Sequence, residues 1–318
     1  TTMLACLPLF LFVAHAAALG GEKALMRKPI RKIKTAVDKP VSDESQVNTY
    51  VVKGSEAEIS VQMMGEPHKV WWGTEHMAPV IHAAKFAEHR NQPCVVIEAG
   101  AHQGGVAILA AKLGCEVYAY EMQAAHVTAF KKNVALNGIS EGRIHIFQEA
   151  IGKKPNQRID ETFPKGKHVT LLKMDIDGPD ADAMIGASGV FAEGGVDFVN
   201  LEFNPKKQGV NHEYLANMAA LGFNMYVLDC YPRSDDYATV QSKLGPVCLR
   251  TNKIDPHGYN IEPKETEFLS CSMQGNCKSK DVDVRQKIEE SKIPEFVTAL
   301  QANQGEVDML LRNRNIHF

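Results

Sequence analysis

Val95-Val96-Ile97-Glu98-Ala99-Gly100-Ala101-His102-Gln103-Gly104-Gly105 is the stretch on which the fold turns. A short apolar run of buried-strand type opens it, with Cys94 just ahead, and a glycine-bearing turn follows. Val106 to Leu113 then reads as a helix stopped by Gly114. Strand, turn and helix in this order begin a βαβ unit. In an open parallel sheet, ligands bind at the carboxyl ends of the strands, so this turn is placed to bind one. Gly100 has no Cβ and lets a ligand lie against the backbone, while Gly104 lets the helix start close to the strand. The helix start then offers free N–H groups.

The spacing narrows the ligand. A dinucleotide turn wants G-x-G-x-x-G around a pyrophosphate. Here the pattern is acidic-x-G-x-x-x-G, with His102 where the second glycine would stand. Glu98, two residues before Gly100, repels a phosphate and suits a cation, such as the amino group of S-adenosylmethionine. A second carboxylate strengthens this. Glu121 ends the run Tyr118-Ala119-Tyr120-Glu121, where it can accept both hydroxyls of a ribose. Each residue also has a plainer reading, Glu98 as a strand-end charge and Glu121 as a carboxylate favoured by a helix start. Their occurrence on consecutive βα units favours the cofactor.

Working outward, Met77, Val80, Ile81, Ala84 and Phe86 or Ala87 recur near helical spacing, so a helix runs from Glu75 and ends before Pro93. Strand two is Glu116 to Tyr120. A helix through Ala124, Val127, Phe130 and Val134 ends at Asn137-Gly138. Strands follow at Arg143 to Gln148, Val169 to Met174, Val196 to Phe203 and Asn224 to Leu228, with a helix over Tyr214 to Leu221. Alternating strands and helices predict a mostly parallel sheet covered on both faces. Two segments compete for an antiparallel last strand between strands five and six: Pro246 to Thr251 and Val307 to Arg312. The second is the expectation, because the helix-like Ile293 to Gln301 otherwise has no sheet to return to.

The carboxyl edge of the predicted sheet is polar. Strand four ends Leu171-Leu172-Lys173-Met174-Asp175-Ile176-Asp177-Gly178, and strand five ends Leu201-Glu202-Phe203-Asn204-Pro205. Asp175 reads as functional and Asp177 as a helix cap.

These four segments, in this order and spacing, resemble an FkbM-type methyltransferase over about Pro93 to Asn204, and Gly305-Glu306-Val307-Asp308-Met309-Leu310-Leu311 is similar to that family's last strand. His102 stands where the family usually has Asn, and Asp177 where it usually has Glu. The resemblance implies a Rossmann-like class I methyltransferase fold: an α/β, mostly parallel seven-stranded sheet with helices on both faces and an antiparallel last strand. It implies S-adenosylmethionine as cofactor and methyl transfer, usually to a hydroxyl oxygen.

The expected cofactor contacts are Glu98, Ala99, Gly100, Ala101, His102, Gln103, Gly104, Glu121, Met122, Glu149 and Asp175. Such transfer is an in-line displacement, and the hydroxyl must also lose its proton. Asp175 is the expected orienting group or base, and Lys173 can tune it. Asp175, Glu202 and Asn204 are oxygen donors of a kind Mg²⁺ accepts, but nothing demands a metal and none is expected. The rival classes are a non-catalytic Rossmann-like binding module, which the full set of site residues disfavours, and an NAD-dependent oxidoreductase, which the missing G-x-G disfavours.

The chain has 318 residues, 44% hydrophobic and 23% charged, ordinary for a globular protein. A net charge of −3 argues against a nucleic-acid partner held by bulk charge. The expected acceptor is a small molecule or glycan, with the segment 231–304 as an insertion over the active site carrying Tyr231, Arg233, Tyr237 and Tyr259. The seven cysteines form no C-x-x-C pair. Cys94 and Cys115 are expected as buried thiols, while Cys271 and Cys277 could be bridged in an oxidising compartment.

Leu4 to Leu19 is apolar but short for a membrane span, and Ala14-His15-Ala16 fits a cleavage site. Residues 1–18 therefore read as a secretory signal, with no stable span left after its removal. Residues 19–74 read as a basic linker and lead-in, with a short strand or two between Asp43 and Gly65, and 75–318 as the methyltransferase domain. A lumenal address is expected. The alternative is a two-part plastid address, in which the basic run Lys23 to Lys39 serves as transit segment.

Overall fold

The five apolar runs from Val95 to Phe203 pair in parallel around the first of them. A computed structural model describes residues 47–53, 58–64, 74–231, 286–288, 290–303 and 306–316. Its strands are β1 (Val47–Lys53), β2 (Glu58–Met64), β3 (Val95–Ala99), β4 (Glu116–Tyr120), β5 (Ile144–Phe147), β6 (Val169–Met174), β7 (Val196–Phe203), β8 (Phe223–Tyr231), β9 (Gln286–Ile288) and β10 (Glu306–Asn313). The helices that position the site are α1 (Thr74–His89), α2 (Gly105–Lys112), α3 (Ala124–Leu136), α4 (Ile159–Thr162), α5 (Asp180–Gly186), α6 (Pro205–Gln208), α7 (His212–Ala220) and α8 (Ile293–Asn303).

The central sheet runs β5-β4-β3-β6-β7-β10-β8-β9. Strands β3 to β7 are mutually parallel, and β10 is antiparallel to both β7 and β8. This is the Rossmann-like class I methyltransferase arrangement expected from the sequence. The last strand is the Val307 segment. Met309, Leu310 and Leu311 are fully buried, as a central strand requires. Asp308 is tolerated because it lies at the strand's start, beside Glu202 at the carboxyl edge of β7, and a register shift against β8 follows it.

The sheet's two faces carry separate cores. Val96, Leu171, Phe198 and Leu310 pack with α1, α2 and Phe130 of α3. Ile97, Leu172, Val199 and Met309 pack with α5, α7 and α8. The two-residue alternation of a strand sends neighbouring side chains to opposite faces, which is why both faces read as continuous apolar runs. The lead-in strands are an antiparallel hairpin, β1 on β2. Val61 and Met63 of β2 enter the α1–α2 core.

Three expectations are corrected. Cys94 and Cys115 are not free thiols but a disulfide. Each immediately precedes one of two paired parallel strands whose first residues, Val95 and Glu116, are in register, and their Cα atoms lie 4.5 Å apart. Asp177 does not cap α5: its side chain is largely in solvent, paired to Lys207 at 2.6 Å, and the N-cap position is Pro179. The sheet also has an edge strand beyond the seven expected, the short β9 on β8.

Of the span 231–304, residues 286–288 form that edge strand, and α8 packs against the core shared with α7. The segments 1–18 and 19–46, Pro246 to Thr251, Arg233, Tyr237, Tyr259, Cys271 and Cys277 lie outside the described residues. Among the described residues, no helix is long and apolar enough to cross a membrane.

Candidate functional site

On the face covered by α1 and α2, each central strand turns from apolar to polar at its carboxyl end. Val96 is followed on that face by Glu98, Leu171 by Lys173, and Phe198 by Asn200. Glu98 pairs in register with Lys173, and Lys173 with Asn200. All three are buried, at 2%, 3% and 1% exposure.

Buried charge must be matched. Lys173 donates to Asp175 Oδ2 at 3.0 Å. Burial alone would lower its ammonium pKa, but Asp175, Glu98 and Asp308 together raise it. Glu98 is less well served. One of its oxygens, Oε2, is buried with no partner. Burial pushes its carboxyl up to about 8, although Lys173 and the Ala107 N–H favour the charged form. Asn200 is satisfied through its Nδ2, which donates to the Met309 carbonyl.

The glycine loop lies over this row. Gly100 has φ +85°, and a Cβ there would meet the Asp175 carbonyl oxygen at 1.7 Å. Gly104, also at +85°, would drive a Cβ into the Phe130 ring at 1.9 Å. Both positions require glycine by conformation and by contact. His102 between them has φ +48°, which is unusual for a side chain of its size. Its backbone N–H donates to Glu121 Oε2 at 2.9 Å. Ala99 and Ala101 are buried with the loop, as is the Gln103 side chain.

Glu121 joins the loop to the second βα unit. Its Oε1 accepts the Gln123 N–H at 2.8 Å, at the start of α3. His126 Nδ1 stands 3.5 Å from the same oxygen. Burial opposes ionisation, but the nearby His126 and the hydrogen bonds from the Gln123 and His102 N–H groups hold the carboxylate below its usual range. The helix-start reading of Glu121 is therefore realised along with its position beside the loop. The His102 and His126 rings are in contact, their centroids 3.8 Å apart and their planes tilted by 55°. Burial, and then His126, lowers the His102 imidazole to about 4, so the ring is neutral near pH 7.

Met122 follows Glu121 and is 65% exposed, the barest large apolar side chain among the described residues. Glu149 is half-buried past the end of β5, the strand beside β4. Sheet order thus lines up Glu149, Glu121 with Met122, the glycine loop and Asp175 along one edge. Asp175 is fixed through its N–H, which donates to the Ala99 carbonyl at 3.1 Å. The loop after it is held by Asp180, whose oxygens accept from the Ile176 and Gly178 N–H groups at 3.0 Å each. At the next strand end, Lys207 approaches Glu202 at 3.5 Å, and Asn204 caps α6 by accepting the Lys207 N–H.

Sequence reasoning missed His126, Asn200 and the role of Asp308. His126 had a signal, being on the first turns of the helix that Glu121 opens. Asp308 had none, standing as one polar residue in the apolar run of the last strand. Among the described residues, no group of three or more His, Cys, Asp or Glu is arranged to hold a metal ion.

No protein-family model matches the chain, and no curated protein matches it in sequence. Solved structures do resemble it. The SAM-dependent methyltransferase from Agrobacterium tumefaciens aligns at 15% identity and TM-score 0.36, over 48% of this chain and 52% of that one. Precorrin-6y C5,15-methyltransferase from Geobacter metallireducens GS-15 aligns at 15% identity and TM-score 0.33, over 48% and 75%. Ribosomal protein L11 methylase from Lactobacillus delbrueckii subsp. bulgaricus aligns at 21% and 0.32, over 48% and 72%. The chain spans about half the length of the Agrobacterium protein. The fold assignment rests on the strand order itself.

Proposed function

We propose that this chain is an S-adenosylmethionine-dependent methyltransferase of the FkbM type, acting on a hydroxyl of a small molecule or glycan. The observation that carries this reading is the buried, unpartnered Glu98 oxygen at the foot of a glycine loop whose His102 N–H is held by Glu121. Glu98, Lys173 and Asp175 together hold two carboxyl groups and one ammonium. A ligand cation would complete the balance, and a ligand phosphate would not. The backbone at Gly100 leaves no room for a Cβ, and Glu121 offers carboxylate oxygens for ribose hydroxyls. The residues present therefore fit the methionine end and the ribose of the cofactor, with Met122 and Glu149 placed for the base.

When bound, the cofactor supplies an electrophilic methyl group on a sulfonium. The chain's own part is to hold and deprotonate the acceptor. Asp175 sits at the edge, oriented by Lys173 through one oxygen, and is the group we assign to take the hydroxyl proton as the oxygen–carbon bond forms. The carboxylate gains a proton, the acceptor oxygen gains the methyl, and the sulfonium charge is lost. Lys173 stays protonated throughout, since its carboxylate neighbours raise its pKa. The net charge of −3 supports an acceptor other than nucleic acid.

We further propose entry into the secretory pathway. The apolar run Leu4 to Leu19 and the Cys94–Cys115 disulfide both support it, since disulfides persist in oxidising compartments. The test of function is incubation of a cell extract with the full chain and a methyl-labelled donor, read by mass spectrometry. A labelled hydroxyl compound that disappears with Asp175→Ala supports the proposal, and transfer that survives this change removes Asp175 from it.

A further inference from the structure

We propose that the β1–β2 hairpin is a positioning device for the glycine loop, acting through Asn133, and thereby sets the affinity of the cofactor site. This rests on the cofactor reading above for its affinity consequence, though not for the coupling itself. The loop needs such support. His102 is held at φ +48° between two glycines at +85°, and a side-chain-bearing residue stays in that region only where its surroundings over-determine it. Besides the Gly100 and Ala101 N–H groups, which donate to the Tyr120 carbonyl, three side chains hold the loop in place. The His102 N–H meets Glu121 at 2.9 Å, the Phe130 ring fills the space at Gly104, and the Gln103 carbonyl accepts from Asn133 Nδ2 at 3.0 Å.

The third contact leads out of the site. Asn133 is fully buried in the last turn of α3. Its other amide atom, Oδ1, accepts the Met64 N–H at 2.9 Å, from the end of the hairpin. A carboxamide presents one acceptor end and one donor end. The hairpin N–H claims the acceptor end and so aims the donor end at the loop. One turn further along α3, Asn137 repeats the docking: its Oδ1 accepts the Gln62 N–H at 2.9 Å and its Nδ2 donates to the Gln62 carbonyl. The two asparagines thus pair with the edge of β2 as a neighbouring strand would, on residues two apart. Val61 and Met63, between and beside them, are buried in the α1–α2 core. Asn133 is therefore a positioning residue, touching neither cofactor nor acceptor.

Two variants separate the links. Asn137→Ala removes both bonds to Gln62 and leaves Asn133 and Gln103 in contact. Asn133→Asp keeps an acceptor for the Met64 N–H and deletes the donor to the Gln103 carbonyl. Amide hydrogen exchange on the unliganded full chain reads residues 59–64 and 102–105, and calorimetry with S-adenosylmethionine reads affinity. Asn137→Ala is expected to speed exchange in both segments and weaken binding roughly fivefold, about 1 kcal/mol. Asn133→Asp is expected to speed exchange in the loop and weaken binding about tenfold or more, which is ~1.4 kcal/mol. If Asn137→Ala frees the hairpin while loop exchange and affinity stay at wild-type values, the proposal is overturned, even where Asn133→Asp fails to fold. If the wild-type chain does not bind S-adenosylmethionine, the cofactor reading fails, and the exchange data alone decide the coupling.

Discussion

The two edges of the same sheet both carry titratable groups and use them differently. At the amino edge, Glu116 accepts from Lys167 at 2.6 Å, from the Tyr118 hydroxyl at 2.7 Å, and meets His145 at 3.0 Å. Partial burial would raise its pKa, but the hydrogen bonds from Lys167, Tyr118 and His145 hold it at about 2. His168 and Asp197 pair at 2.8 Å nearby, and Cys94–Cys115 ties the same edge covalently. Each of these groups has a partner within the chain. At the carboxyl edge, a carboxyl oxygen is buried alone, a neutral histidine sits at positive φ, and two glycines leave no room for a Cβ. The lesson is that charge count does not locate a site. Unsatisfied burial and strained backbone do, because something outside the chain must relieve them.

The sharpest break of this contrast is a matched pair of glycine substitutions. Gly100 and Gly114 have nearly the same φ, +85° and +90°, but a Cβ at Gly114 meets nothing within 4 Å. Gly100→Ala should cost more than ~3 kcal/mol of stability and abolish cofactor binding, whereas Gly114→Ala should cost about 1 kcal/mol of strain and leave binding unchanged. Thermal melts and calorimetry check both. Equal effects would mean that conformation alone, and no close approach at Asp175, governs the loop.

Removing the disulfide acts on the other edge. Its cysteines are 21 residues apart, so replacing both by Ser should lower stability by roughly 3 kcal/mol on loop-closure grounds. Cofactor affinity should not move. Mass spectrometry of the native protein under non-reducing conditions checks that the bond forms, and free thiols at both positions would remove a support for the secretory reading.

Next in size is Glu121→Ala, expected to weaken S-adenosylmethionine binding about thirtyfold, ~2 kcal/mol, with an intact cooperative melt. Glu116→Ala is its opposite, lowering stability with no change in affinity. The pH windows differ in sign. Glu116, depressed to about 2, contributes stability above its unfolded value near 4.5 that is lost as pH falls toward 2. Glu98, raised to about 8, favours the folded, unliganded chain most below its unfolded value near 4.5, and that contribution is lost as pH rises through 8.

Glu98 gives the smallest and most specific effect. Near pH 7 it is protonated in the free chain, and a cation placed beside it favours the ionised form. Binding should therefore release about one proton and tighten up to tenfold per pH unit below pH 8. Titrations in buffers of different ionisation enthalpy read the proton directly. Glu98→Gln should bind with no such dependence, and an unchanged dependence in that variant would assign the proton to another group.

Much of this was legible in sequence, for physical reasons. Strands β3, β4, β6 and β7 are buried on both faces, so their apolar runs and bounds stand out. Glu98, Gly100, Gly104, Glu121 and Asp175 lie at the ends of those runs, where position alone suggests a role. What stayed hidden depends on neighbours distant in the chain. The disulfide needs the β3–β4 register. Asp308 acquires meaning only when β10 is seen beside β7. Asn133 looks like any polar residue on a helix until the hairpin, 69 residues away, is docked on it. The three-residue β9 carries too little pattern to be read at all.

The most direct test of the central claim is calorimetric titration of the full chain with S-adenosylmethionine and, in parallel, with NAD. The account predicts one saturable site for S-adenosylmethionine, with a proton released near pH 7, and no heat from NAD. Binding of NAD, or of neither compound, would contradict it.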